Sequence, residues 1–250
     1  MTITNEDELA QLKDVGRIVS LAMQTMADAM EPGMTTAELD AIGASILEQE
    51  GARSAPALTY GFPGATCISI NEVIAHGVPG SQKIRAGDLV NIDVSAEKNG
   101  YFADTGSSYA VPPVAREIAR LCNDGRRALM QGIKTVKAGS RLNAIGASVE
   151  KFPHRKGYTL IKNLSSHGVG SALHEEPTEI ATWKNPADFR RIEKGMVFTI
   201  EPFLSLGSEW ALDAPAKDND QWSLYSDQAT PTVQYEHTLV ATDRGAIILT

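Results

Sequence analysis

Two pairs of short segments recur in this chain at nearly the same spacing. LDAIGASILE at 39–48 resembles LNAIGASVEK at 142–151, 103 residues further on. KIRAGDLVNID at 83–93 resembles RIEKGMVFTIE at 191–201, 108 residues further on, and each reads Ile-x-x-Gly-x-x-x-x-Ile followed by an acid. Self-similarity of this kind constrains a fold more tightly than local propensity does, because whatever one half forms, the other half must be able to form again. The members of each pair also stand in equivalent contexts, with helical spacing before them and β-branched runs after them. The expectation is a single domain over 1–250 built from two αα-β halves, about 1–112 and 113–250. The implied class is α+β, with a central antiparallel sheet and outer helices.

Local signals fit that division. Asn5 followed by Glu6, Asp7 and Glu8 is a helix start with acids in the first turn. Leu9, Leu12, Val15, Ile18, Val19, Met23 and Met26 then recur at three- and four-residue steps, which predicts a long amphipathic helix up to the break at Pro32-Gly33. Thr35 with Glu38 predicts a capping box for a second helix, ended by Gly51. Strand-like text runs from Leu58 to Val111. Helical spacing returns over 114–133 and 141–149, stopping near Pro153, and strands and loops fill 158–249.

Within the first strand region lies LVNIDVSAEKNGYFADTG at 89–106, an Asn-Gly between alternating segments and hence a hairpin signal. If 97–100 is the loop, Ala96 pairs with Tyr101 and Asp93 comes directly opposite Asp104. A two-residue Asn-Gly loop shifts the register by two and leaves both acids on one face. Like charges facing each other across a ladder are destabilising, so something must compensate them.

The second half supplies its own pair. Glu201 takes the place of Asp93 in the repeat, and after a polar stretch from Gly207 to Gln228 comes TVQYEHTLV with Glu236. Two hairpins related by a pseudo-twofold would bring these four carboxylates to one point. Without a cation they would raise one another's pKa values, and a pair of divalent ions would relieve the repulsion. Of the five histidines, His154 in FPHRKGY reads as a surface residue. His76, His174 and His237 sit near Gly or acids, and His167 in SHGVG lies on a Gly-flanked segment suited to delivering an imidazole. One imidazole with four carboxylates is a mostly hard ligand set, suited to Mn²⁺, Fe²⁺, Co²⁺ or Zn²⁺ and unlike a structural zinc site.

Composition excludes several classes. A net charge of −8 with no Lys/Arg block argues against a nucleic-acid footprint. The opening MTITNEDELAQL has neither the basic start nor the apolar core of a secretory signal. No apolar run approaches the roughly 18–20 residues a membrane helix needs. Cys67 and Cys122 form neither a metal-type pair nor a disulfide framework, so a reducing cytoplasm is the expected location.

Taken together, NIDVSAEKNGYFADTG, HGVG, LHEEP, TIEP and QYEHTLV resemble the type I methionine aminopeptidases in their short bacterial form, members of the pita-bread fold group. The resemblance covers almost the whole chain. It implies two divalent metals on Asp93, Asp104, His167, Glu201 and Glu236, with Glu201 taking up the proton of the attacking water. It implies substrate-contacting roles for His76 and His174, and by motif position a methionine pocket built from Phe62, Cys67 and Trp222. The implied partners are the N-termini of nascent polypeptides with a small second residue, met at the ribosome, with no membrane, no nucleic-acid sequence recognition and a monomeric state. The chain departs from the family's common pattern at Leu58-Thr59-Tyr60, at Ser166 before the ligand histidine, at Leu173 before the second histidine, and in a longer loop after Glu201. Two rivals stay open from the residues alone. One is another pita-bread peptidase of the aminopeptidase P or prolidase kind; the other is a non-catalytic binding module on the same fold.

Overall fold

The computed structural model describes residues 1–215 and 220–250, with His154 given by its backbone only, so the surface reading of that side chain lies outside the described residues. Helix α1 (Glu6–Ala29) starts at Asn5, whose side-chain oxygen accepts the Glu8 N–H at 2.9 Å. Helix α2 (Thr36–Gln49) carries the capping box: Thr35 Oγ1 accepts the Glu38 N–H at 3.1 Å, and the Glu38 carboxylate accepts the Thr35 N–H at 2.8 Å. These contacts satisfy donors that the first helical turn leaves unpaired.

Then come β1 (Arg53–Ser54), α3 (Ala55–Tyr60), β2 (Cys67–Ile70), β3 (Val73–Ala75) and the hairpin β4 (Leu89–Lys98) and β5 (Tyr101–Ala110). The short α3 replaces the strand expected to begin at Leu58. It is too brief to show a period, but it has its own stop signals: Pro56 lies in the first turn, and Gly61 closes the helix in the left-handed region at φ 71°. The second half repeats the order with α4 (Arg116–Ile133), α5 (Asn143–His154), β6 (Thr159–Leu160), β7 (Ser166–Gly168), β8 (Glu175–Ile180), β9 (Val197–Ile200) and β10 (Phe203–Ser205). It ends with β11 (Ala211–Asp213), β12 (Leu224–Ser226), β13 (Thr232–Gln234), β14 (His237–Thr242) and β15 (Gly245–Ile248). Pro153 lies in the last turn of α5 rather than beyond its end. The polar stretch read as loop carries β11 and β12, which pair with each other and, through β12, with β3; three-residue strands of mixed polarity leave no alternation to read.

Strand pairing is antiparallel among the described residues. One sheet runs β1-β4-β2 with β5 on the other side of β4, another runs β15-β14-β9-β7-β8, and β13-β10-β6 and β11-β12-β3 complete the set. The repeated segments fall on α2 and α5 and lead into β4 and β9, and the same backbone bonds recur around them. Gly33 N–H donates to Ile84 O and Gly139 N–H to Ile192 O, both at 2.8 Å. Gly87 N–H donates to Val111 O at 3.0 Å and Gly195 N–H to Ala241 O at 2.8 Å.

Strand alternation sorts the two faces. On β4, Ile92, Val94 and Ala96 are fully buried against Val15, Val19 and Met26 of α1 and Leu39 of α2, while Asn91, Asp93 and Ser95 point the other way. In the second half α4 and α5 cover Phe198, Ile200, Val233 and Leu239 through Leu121, Leu129, Ile145 and Val149. The helices therefore fix the outer faces, and the polar inner faces of the hairpins meet at the site.

Candidate metal centre

The first hairpin does not have the four-residue loop that would set its two aspartates opposite each other. Lys98 pairs with Tyr101, and the loop is Asn99-Gly100, both with positive φ (55° and 84°). This two-residue turn matches the twist of the flanking strands. Glu97 stays in the ladder because its carboxylate accepts the Gly100 N–H at 2.7 Å and Arg53 Nε at 2.7 Å. Asp93 is thus opposite Gly106, and Asp104 is opposite Ser95. The acids lie diagonally on one face.

In the second hairpin the direct arrangement does occur. The β9–β14 pairs (Ile200 with His237) and the β10–β13 pairs (Phe203 with Gln234) run in one register on either side of a gap, which sets Glu201 opposite Glu236. Pro202 lies in that gap and has no N–H to give to a ladder. The Glu201 N–H donates instead to Ser166 Oγ at 2.9 Å, so the serine at a departure from the family pattern ties β7 to the Glu201 strand.

His167, on β7, joins the acids. Its Nδ1 lies 3.0 Å from Gly168 O, and since a carbonyl can only accept, Nδ1 carries the proton. Nε2 thereby presents its lone pair toward Glu201 Oε1 at 3.6 Å and Asp104 Oδ2 at 3.9 Å. Ligand atoms of Asp104, His167 and Glu236 lie within 4.8 Å of one another, and all three side chains are buried. Asp93 and Glu201, half-buried, border the same cavity.

Electrostatics mark this cluster as unstable on its own. Burial first, and then the neighbouring carboxylates, push Asp104, Glu201 and Glu236 well above the usual carboxylate range. Burial raises Asp93 to about 6 despite hydrogen bonds that favour its ionised form. Burial lowers His167 to about 3, so its imidazole is neutral. Among the described residues, Asp104 Oδ1 and Glu236 Oε1 are buried without a hydrogen-bond partner. Buried acceptors without donors are rare in folded proteins. Two orphan oxygens converging with a neutral imidazole lone pair fit divalent cations, and the mostly hard donor set suits Mn²⁺, Fe²⁺, Co²⁺ or Zn²⁺.

A cavity of about 310 Å³ opens above the cluster. Phe62, Cys67, His76, His174 and Trp222, each singled out in the sequence, line it. Phe62 meets Trp222 edge to face with centroids 5.3 Å apart, and Cys67 pairs with Asp93 across the β2–β4 ladder. Burial and the adjacent acids raise the Cys67 thiol, which leaves it a neutral, soft wall. His76 sits at the end of β3 with φ 53°, a left-handed conformation that a non-glycine residue adopts only under constraint. The His174 ring lies 4.0 Å from that of His167. His237, in contrast, turns to Thr250 Oγ1 at 3.0 Å and does not line the cavity.

Gln234 was not anticipated at the site. Gln234 Nε2 donates to Asp93 Oδ2 and to Glu236 Oε2, both at 3.1 Å. The signal was present, since Gln234 precedes Glu236 by two and so shares its face of the strand.

A duplicated antiparallel scaffold that gathers buried carboxylates and one imidazole beneath a cleft defines a metal-dependent hydrolase of the pita-bread fold. The chain belongs to metallopeptidase family M24, whose family model matches residues 10–243. It is 43% identical over 251 aligned residues to methionine aminopeptidase 2 of Bacillus subtilis (strain 168), covering 100% of this chain and 99% of the relative. It is 39% identical to a methionine aminopeptidase of Staphylococcus epidermidis, covering 100% of this chain and 98% of the relative. The crystal structure of methionine aminopeptidase from Rickettsia prowazekii superimposes with a TM-score of 0.94 at 29% identity, covering both chains fully.

Proposed function

We propose that this protein is a metal-dependent aminopeptidase that removes the N-terminal methionine from polypeptides whose second residue is small. The observation that carries the reading is the pair of orphan carboxylate oxygens on Asp104 and Glu236 beneath a cavity walled by Phe62, Cys67 and Trp222. The names of the relatives, methionine aminopeptidases over the full chain, support the choice of methionine over other N-terminal residues.

In this reading Asp93, Asp104, His167, Glu201 and Glu236 hold two divalent ions. When bound, such ions would supply Lewis acidity and lower the pKa of a coordinated water toward neutrality. The Glu201 carboxylate would take up the proton of the attacking water and pass it on. His174 donates to the scissile carbonyl oxygen as negative charge develops there. His76 contacts the scissile nitrogen and helps protonate the departing amine. The sulfur-bearing side chain of methionine lies against Phe62, Cys67 and Trp222, a soft and aromatic wall that a thioether favours.

The substrates are the N-termini of nascent chains, encountered at the ribosome in the cytoplasm, and the working unit is a monomer. Among the described residues no helix is long and apolar enough to cross a membrane. The test is a peptide panel on manganese- and cobalt-loaded protein in which the first two residues vary. Rapid release of methionine from Met-Ala-Ser supports the reading. Preference for peptides with Pro second would replace it with a prolidase-like activity, and no hydrolysis with either metal would favour a binding module.

A further inference from the structure

Tyr60 is the last residue of α3, and the left-handed turn at Gly61 sends its side chain over the mouth of the cavity while Phe62 enters the wall two residues later. Its hydroxyl lies 2.7 Å from His174 Nδ1, and the rings are tilted with centroids 5.7 Å apart. Among the described residues His174 is the partner of that hydroxyl. A phenol at neutral pH is protonated, so it has a proton to give. A neutral imidazole has one N–H and one lone pair, and the atom that accepts decides which nitrogen donates.

We propose that Tyr60 is a positioning residue that donates its hydroxyl hydrogen to His174 Nδ1 and thereby fixes the proton of His174 on Nε2. With the proton there, His174 can donate at the scissile carbonyl; with the proton on Nδ1, Nε2 would set a lone pair against an oxygen gaining negative charge. The inference rests on the role given to His174 above. It assigns a purpose to a residue that departs from the common family pattern and is too exposed, at 49%, to owe its place to core packing. Because the hydrogen bond acts on a donor used most strongly in the transition state, its loss should appear in kcat rather than in KM.

The experiment compares wild type, Tyr60→Phe and, as a control for disturbance of α3, Leu58→Ala, whose side chain is 47% exposed. Nitrogen-15 spectra of the zinc-loaded proteins report the His174 tautomer without requiring turnover, and kinetics on Met-Ala-Ser follow with manganese. The expected result is Nδ1 unprotonated and hydrogen-bonded in wild type and in Leu58→Ala. In Tyr60→Phe the Nδ1 resonance shifts and kcat falls about three- to tenfold, the worth of one hydrogen bond, with KM within about twofold. A wild-type spectrum with the proton on Nδ1 overturns the proposal, as does a Tyr60→Phe variant that matches wild type in both spectrum and kcat. A loss confined to KM also overturns it, because Tyr60 would then be a substrate contact. A wild-type enzyme inactive on methionyl peptides would instead refute the proposed function, and the tautomer spectra would still decide whether Tyr60 holds the ring.

Discussion

The side-chain amide of Gln234 reaches from the second hairpin to Asp93 on the first, 3.1 Å away, and gives its other hydrogen to Glu236. Its orientation is set from behind, since Asn91 Nδ2 donates to Gln234 Oε1 at 2.8 Å. A single amide thus spaces two carboxylates proposed as ligands on different hairpins, and outer partners of this kind tune metal affinity. Gln234→Met keeps the volume and removes both donors. The expected outcome is a loss of about 10- to 100-fold in manganese affinity by titration calorimetry, with an unchanged circular dichroism spectrum. Affinity within about twofold of wild type would mean that the carboxylates hold their places without the amide.

Room for that amide comes from Gly106. A Cβ built there would stand 2.1 Å from Gln234 Oε1 and 2.5 Å from Nε2, closer than side-chain atoms approach. The amide cannot simply swing away, because Asn91 and two acids hold it. Gly106→Ala should therefore cost about 1–3 kcal/mol of stability, as overpacking of a tight interior does. It should also weaken metal binding in the same direction as Gln234→Met. Chemical denaturation with and without manganese measures both, and an alanine variant as stable and as tight-binding as wild type would show that the two hairpins can part at this point.

The sequence carried the halves, the long helices and the acids, because each is written in a local code: capping residues beside an amphipathic period, a repeated Ile-x-x-Gly segment, an Asn-Gly turn. The register of the first hairpin was less legible. Loop length depends on whether Glu97 and Lys98 remain paired, and what keeps Glu97 there is Arg53, 44 residues away. Gln234, too, looks like an ordinary polar strand residue until Asn91, Asp93 and Gly106 are seen around it. Tyr60 stood out as a departure from a pattern, but its partner His174 lies 114 residues on. What stayed hidden was the set of contacts that only tertiary packing creates.

Asp104 offers a sharper test of the cluster. Its Oδ1 is buried without a partner, and its strand is anchored independently: its backbone N–H donates to Thr238 Oγ1 at 2.9 Å and its carbonyl accepts from that hydroxyl at 2.8 Å. Asp104→Asn should abolish peptide hydrolysis while the metal-free protein melts at the same temperature as wild type or higher, since one carboxyl repelled by its neighbours is gone. Thermal melts in chelator and a methionyl-peptide assay check the two halves of that statement. Near-native turnover would sink the assignment of Asp104 as a ligand.

The raised carboxyls also fix a pH dependence whose sign can be worked out. In the metal-free fold Asp93, Asp104, Glu201 and Glu236 keep their protons to higher pH than in the unfolded chain, where carboxyls titrate near 4. The folded state then binds more protons, and its stability falls as pH rises through the raised values. His76, His167, His174 and His237 are lowered, so they cost stability in the opposite direction, as pH drops through about 6.5. Chelator-treated protein should therefore lose melting temperature relative to manganese-loaded protein as pH rises through about 6, the raised value of Asp93, with the same histidines present in both forms. Manganese-loaded protein should hold or gain over the same range, because ionised ligands bind the cation more tightly. Parallel melting curves with and without metal would show that the four acids do not share the charge burden the fold places on them.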